Sequence, residues 1–190
     1  SQNLPHVVLT PSTLPWEKNA LRTQNGREHP WLALILFTEQ EYARVEQGSR
    51  PSDNPNQPEA AIIAVPDRLL GSLMPPVESL TFLTHVRQTV DAHGKIEGEE
   101  VAVVMGSRIP AAGNNIAHLV AVDGQYSSNG FEPARGELNN KKVLISLKSW
   151  RFASIDPQFG FEQLLMGLDR GFIEHEPTTN ETPNHYFRMG

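Results

Sequence analysis

The side chains best placed to do chemistry gather in one apolar stretch, Val101 to Val122. Two β-rich runs, Val101-Ala-Val-Val-Met105 and Ile116-Ala-His-Leu-Val-Ala-Val122, flank a Pro- and Gly-containing turn. Within it Ser107, Arg108, Asn115 and His118 are the candidates able to act on a substrate. The sharpest chemistry this offers is acyl transfer. Ser107, after Gly106 at the end of a strand, would be the nucleophile, His118 on a neighbouring strand the base, and His85 a third group. Against it, Ser107 has glycine on one side only, so the strained Gly-x-Ser-x-Gly elbow that exposes a hydrolase serine is not present.

Other chemistries find less support. The seven histidines, among them His85 and His118, include no pair at the i, i+4 spacing that puts two ligands on one helix face. Glu174-His175-Glu176 is the densest cluster, and in a strand only its glutamates share a face, so a solvated edge is expected and no metal. Gly113-Asn114-Asn115 precedes a strand rather than a helix, so it reads as a hairpin turn and not a phosphate cradle. No cofactor is expected. The structural alternative gathers His85, Arg87, Arg108 and His118 into a polar knot where a helix meets the sheet, since half-buried polar groups must be hydrogen-bonded.

These side chains need elements to hold them. The run through Val103 is too continuously apolar for a wet face and belongs in the middle of a sheet, paired as a hairpin with the run through His118. Trp31–Thr38 and Ala60–Val65 read as buried strands, and Val143–Ser154 as a long half-buried one. Leu4–Thr10, between Pro5 and Pro11, reads as an edge strand or arm. Thr38 with Glu41 forms a capping box that starts a helix over about 39–46. Asp67 begins a short helix that Pro75-Pro76 ends. Val77, Leu80, Leu83, Val86 and Val90 recur at helical steps and predict a helix over about 77–90, lying against the strand through Val103. Asp156-Pro157 starts a helix over about 158–170, which Arg170-Gly171 ends. Phe172–Glu176 and His185–Arg188 are further strand candidates. The fold class expected is α+β: one domain over 1–190, a mixed, mostly antiparallel sheet of about five to six strands with about three helices packed on it. An irregular arm covers about 1–29. A polar, Gly-containing surface loop covers about 123–142 and is the candidate partner surface.

Composition narrows the class. With 190 residues, 38% of them hydrophobic, the chain suffices for one sizeable core. Cysteine is absent, which removes disulfides, thiolate metal sites and cysteine nucleophiles. A net charge of −6 without a Lys/Arg cluster argues against nucleic acid and against an anionic membrane surface. The longest apolar run, Trp31–Phe37, is strand-sized, so no membrane insertion is expected. No leader-like order of basic, apolar and small residues opens the sequence. A soluble domain is expected, in the cytoplasm or in an exported assembly.

Several phrases together resemble a segment of large uncharacterised bacterial multidomain proteins. They are Leu4-Pro5-His6-Val7-Val8-Leu9 with Leu14-Pro15-Trp16-Glu17, Pro30-Trp31-Leu32-Ala33-Leu34, Leu83-Thr84-His85-Val86-Arg87, Ala117-His118-Leu119-Val120, and Leu144-Ile145-Ser146-Leu147 with Ser149-Trp150. The resemblance covers most of the length in scattered patches and brings no activity with it. It implies a piece of a longer chain, whose partners are flanking domains or another protein. The expectation is therefore a non-catalytic structural or protein-interaction module, with the Ser107–His118–His85 hydrolase as the alternative.

Overall fold

The computed structural model describes residues 4–22, 28–50, 60–133 and 137–155, with backbone alone at Arg50 and Glu137. The expected helix over 158–170, the strand candidates at 172–176 and 185–188 and the Glu174–Glu176 cluster lie outside the described residues. The chain through Ser154 forms one compact unit. Its elements are β1 (His6–Leu9), β2 (Leu32–Thr38), α1 (Glu39–Tyr42), β3 (Glu46–Arg50), β4 (Ala60–Pro66), α2 (Asp67–Leu73), α3 (Val77–Leu83), β5 (Thr84–Val90), β6 (Ile96–Met105), β7 (Gly113–Ala121), β8 (Tyr126–Ser127), β9 (Gly130–Phe131), β10 (Glu137–Leu138) and β11 (Lys141–Ser154). Among the described residues the fold is mostly antiparallel sheet with three short α-helices.

Two sheets carry the architecture. The larger runs β2-β7-β11-β4-β3, with β10 paired to the start of β11, and the smaller runs β1-β6-β5. All their ladders are antiparallel. The single sheet of five to six strands expected from sequence is thus matched in part: β1, β5 and β6 have left it. β2 and most of β7 in the larger sheet are buried on both faces. Ala33, Ile35 and Phe37 of β2 pack with Leu70, Leu73, Val77 and Leu80 of α2 and α3. Leu32, Leu34 and Leu36 of the same strand pack with Val104 of β6 and with Val7 and Leu9 of β1. β2 is therefore apolar at every position, as a two-sided strand must be.

The Val101–Val122 stretch is not a hairpin. Its first half is β6, the centre of the smaller sheet, and its second half is β7, inside the larger one. The reason is that neither strand has an edge left for the other. β6 is flanked by β1 and β5, and β7 by β2 and β11. The two sheets do touch at an isolated parallel bridge, Leu34 to Gly106.

The helix expected over 77–90 stops at Leu83. Thr84 is already extended (φ −126°, ψ 124°), and β5 pairs with β6 through His85 opposite Val103 and Val86 opposite Ala102. The apolar residues at helical steps continue to Val90, but Thr84, Val86, Thr89 and Val90 are β-branched, and a partner strand was at hand. The helix expected over 39–46 is cut short in the same way. Its capping box forms: Glu41 N–H donates to Thr38 Oγ1 (3.2 Å), and Thr38 N–H donates to Glu41 Oε2 (2.9 Å). Yet the helix ends at Tyr42, and Glu46 opens β3, which pairs with β4.

Residues 123–142 are less of a surface excursion than their polarity suggests. Gln125 and Tyr126 are fully buried. Tyr126 donates its hydroxyl to the Pro75 carbonyl at 2.8 Å, ahead of α3. Near the end of the segment Asn139 and Asn140 adopt φ of 52° and 60° between the paired Leu138 and Lys141. This is the left-handed two-residue turn that asparagine tolerates.

Candidate functional site

An enclosed polar group is built on the larger sheet. β7 turns His118 toward the face that also carries Phe37, and His118 is 2% exposed. A residue so placed needs partners for both ring nitrogens, and it has them. Nδ1 lies 2.8 Å from Ser146 Oγ on β11, and Nε2 lies 3.0 Å from the Tyr42 hydroxyl on α1. Phe37 closes the ring edge-on at 5.8 Å, and Tyr42 packs against it at 5.4 Å. Burial lowers the His118 pKa to about 4, so near neutral pH the ring is uncharged, with one nitrogen donating and the other accepting. Burial likewise raises the Tyr42 pKa, partly offset by the charge of Arg151, whose guanidinium sits 5.7 Å over the Tyr42 ring.

Two local features make this chain of hydroxyl, imidazole and hydroxyl. The capping box at Thr38 turns the backbone sharply after β2, and Tyr42 in the short α1 thereby folds back over the sheet. On β11 the ladder to β7 slips between Ser146 and Lys148. Leu147 is left as the extra residue, 48% exposed, and such a bulge re-aims the side chains beside it. Ser146 keeps the core-facing side it shares with Leu144.

The other sequence-derived candidates go elsewhere. Arg108 donates from Nη1 to the Leu36 carbonyl (3.2 Å) and to Glu41 Oε2 (3.1 Å), and from Nη2 to Glu41 Oε1 (3.2 Å). This forked pair ties the loop after β6 to the first turn of α1. Burial opposes ionisation of Glu41, but hydrogen bonds from Arg108 and Thr38 outweigh it and hold the pKa below the usual carboxylate value. Asn115 is fully buried. It accepts from Ala111 N–H (3.1 Å) and donates to the Ala111 and Gly113 carbonyls (2.7 and 2.9 Å), stapling the same loop. His85 and Arg87, on a strand instead of a helix, pair with each other on the smaller sheet, Arg87 Nε donating to His85 Nε2 at 2.9 Å. The expected knot of His85, Arg87, Arg108 and His118 is thus three separate groups, because the helix that was to bring the first two inward does not extend past Leu83.

Ser107 is exposed and lines an open groove of about 480 Å³ with Met74, Pro75, Phe82, Leu83 and Arg108. The imidazole expected to serve it is bonded to Ser146 and Tyr42 instead. Among the described residues no cluster of three or more His, Asp or Glu could hold a metal ion, and no helix is long and apolar enough to cross a membrane.

Sequence reasoning found His118 but missed Tyr42 and Ser146. A signal for Ser146 existed: it interrupts Val143–Leu147, and a polar residue in an otherwise apolar strand needs a buried partner. Tyr42 carried no such mark, being one aromatic in a short amphipathic turn. Compared with known proteins, the chain matches no family model, no curated protein and no solved structure.

Proposed function

We propose that this chain is a non-catalytic structural or protein-interaction module of a larger bacterial protein or assembly, acting with a protein partner or with flanking domains of its own chain. One observation carries the reading: both nitrogens of the buried imidazole are spent on hydroxyls that hold elements together, Tyr42 of α1 and Ser146 of β11. A ring with a pKa near 4 is a weak base, and Ser146, 8% exposed, offers a substrate little approach. Arg108 and Asn115 support the same reading, since each fastens the loop between β6 and β7.

The alternative is a serine hydrolase using Ser107 with His118 and His85. Its support is the exposure of Ser107 beside an open groove. A fluorophosphonate probe separates the two. The module reading expects no covalent labelling of the folded chain. Labelling that disappears in Ser107→Ala would establish the alternative, and labelling that disappears in Ser146→Ala would make the buried hydroxyl–imidazole chain the reactive centre.

A further inference from the structure

The smaller sheet ends in an uncovered strand. β5 is its outer member, with β6 on one side and, among the described residues, no strand on the other. Every residue from Val86 to Val90 is exposed, with Val86 at 47% and Val90 at 55%. Edge strands are ordinarily blunted by proline, by several charges or by a bulge. β5 has no proline and one fixed charge, Arg87. The ladder irregularity beside it places Gly98, Glu99 and Glu100 opposite Gln88, so β6 takes the kink, helped by Gly98 at φ +86°. β5 itself stays an unbroken extended run, and its outward N–H and C=O groups form a template for another strand.

We infer that β5 is a homodimer edge, pairing antiparallel with β5 of a second copy about a two-fold axis at Gln88, so that the two smaller sheets become one continuous sheet. The occupant follows from the strand's own sequence. In a two-fold pairing residue i meets j and j meets i. Centred on Gln88, Val86 meets Val90 twice, Arg87 meets Thr89 twice and His85 meets Asp91 twice. β-Branched side chains then pair on one face, each Asp91, whose carboxylate caps its own turn through the His93 and Lys95 N–H groups, lies across from a His85, and no like charges are opposed. An axis at Arg87 sets two guanidiniums face to face. An axis at Thr89 breaks both valine pairs and sets Val86 and His85 opposite Ala92 and His93, inside the turn that the Asp91 and Gly94 N–H groups close.

This names the partner for the interaction-module reading and rests on it. The test uses the absence of cysteine from the chain: Gln88→Cys puts a single thiol on the proposed axis. Facing residues of an antiparallel pair have Cα atoms about 4.5–5.5 Å apart, within disulfide range. Sedimentation of the unaltered chain is expected to give a reversible dimer. Oxidised Gln88→Cys is expected to run as a covalent dimer, and Asn129→Cys, in the exposed β8–β9 turn, is not. The double variant V86K/V90K opposes like charges and is expected to be monomeric with an unchanged circular dichroism spectrum. V86K/V90E, which opposes unlike ones in this register alone, is expected to restore the dimer. A monomeric mass at every concentration, equal cross-linking at the two cysteine positions, or a dimer surviving in V86K/V90K would each overturn the edge pairing. None of these would touch the module reading, which fluorophosphonate labelling alone would sink.

Discussion

His118 and His85 are the same side chain in two sheets, and the sheets decide what each can do. His118 lies where the larger sheet is covered on both faces. It is stripped of water, held neutral and bonded at both nitrogens. His85 lies in the smaller sheet, half-buried beside the exposed part of β5, and its ring accepts from a neighbouring arginine on the same strand. The contrast extends beyond the imidazoles. His118 and Ser146 in the larger sheet are joints between elements, whereas residues 86–90 of β5 and 96–100 of β6 face solvent.

The largest test of this contrast is a pair of truncations. Phe37→Ala removes a fully buried ring that packs on both Tyr42 and His118, and it is expected to cost about 3–5 kcal/mol of unfolding free energy in urea. Val90→Ala, in the exposed edge and measured below the concentration at which copies pair, is expected to change stability by no more than about 0.5 kcal/mol. Equal costs would erase the distinction between the sheets.

A pH titration sharpens it. The fold favours the neutral His118 ring down to about pH 4, while the unfolded ring takes a proton near its ordinary value of 6.5. As pH falls through this window the unfolded chain gains a proton that the folded chain refuses, so stability is full above about 6.5 and declines toward 4. The loss expected is roughly 3 kcal/mol, read from denaturant midpoints at successive pH values. Most of that slope should vanish in His118→Gln. Glu41, whose folded pKa is depressed, adds its own loss only as pH falls below its ordinary value of 4.5, so the upper part of the window belongs to the histidine.

Smaller effects follow from single partners. Ser146→Ala deprives a buried ring nitrogen of its hydroxyl and is expected to cost about 1–3 kcal/mol. Arg87→Ala, which frees the half-exposed His85, should cost no more than about 0.5 kcal/mol. Arg108→Ala falls between these two. Its pair with Glu41 is partly exposed, and the expected cost is about 1 kcal/mol, seen as a lowered urea midpoint.

Much of the larger sheet was legible in the residues. The apolar run Trp31–Phe37 became a strand buried on both faces, and Val143–Ser154 became most of β11. The Thr38/Glu41 capping box formed as written. β6 was recognised as an inner strand from its unbroken apolar run. What misled was Val77–Val90, where apolar residues at steps of three and four serve a helix as far as Leu83, and β-branched residues take over from Thr84. The Asn139-Asn140 turn was equally readable as hairpin punctuation, and was lost in the polar stretch around it.

Local pattern, then, determined which segments are buried, where α1 begins and that His118 would need partners, because periodicity, caps and desolvation act over a few neighbouring residues. Tertiary structure alone decided that β6 and β7 lie in different sheets, since β6 filled its edges with the adjacent β5 and the distant β1, and β7 with β2 and β11. It also decided that the imidazole's partners are Tyr42 and Ser146. Those three side chains meet only after α1 folds over the sheet and a bulge in β11 turns the ladder, and the energy that brings them together comes from burying the residues around them.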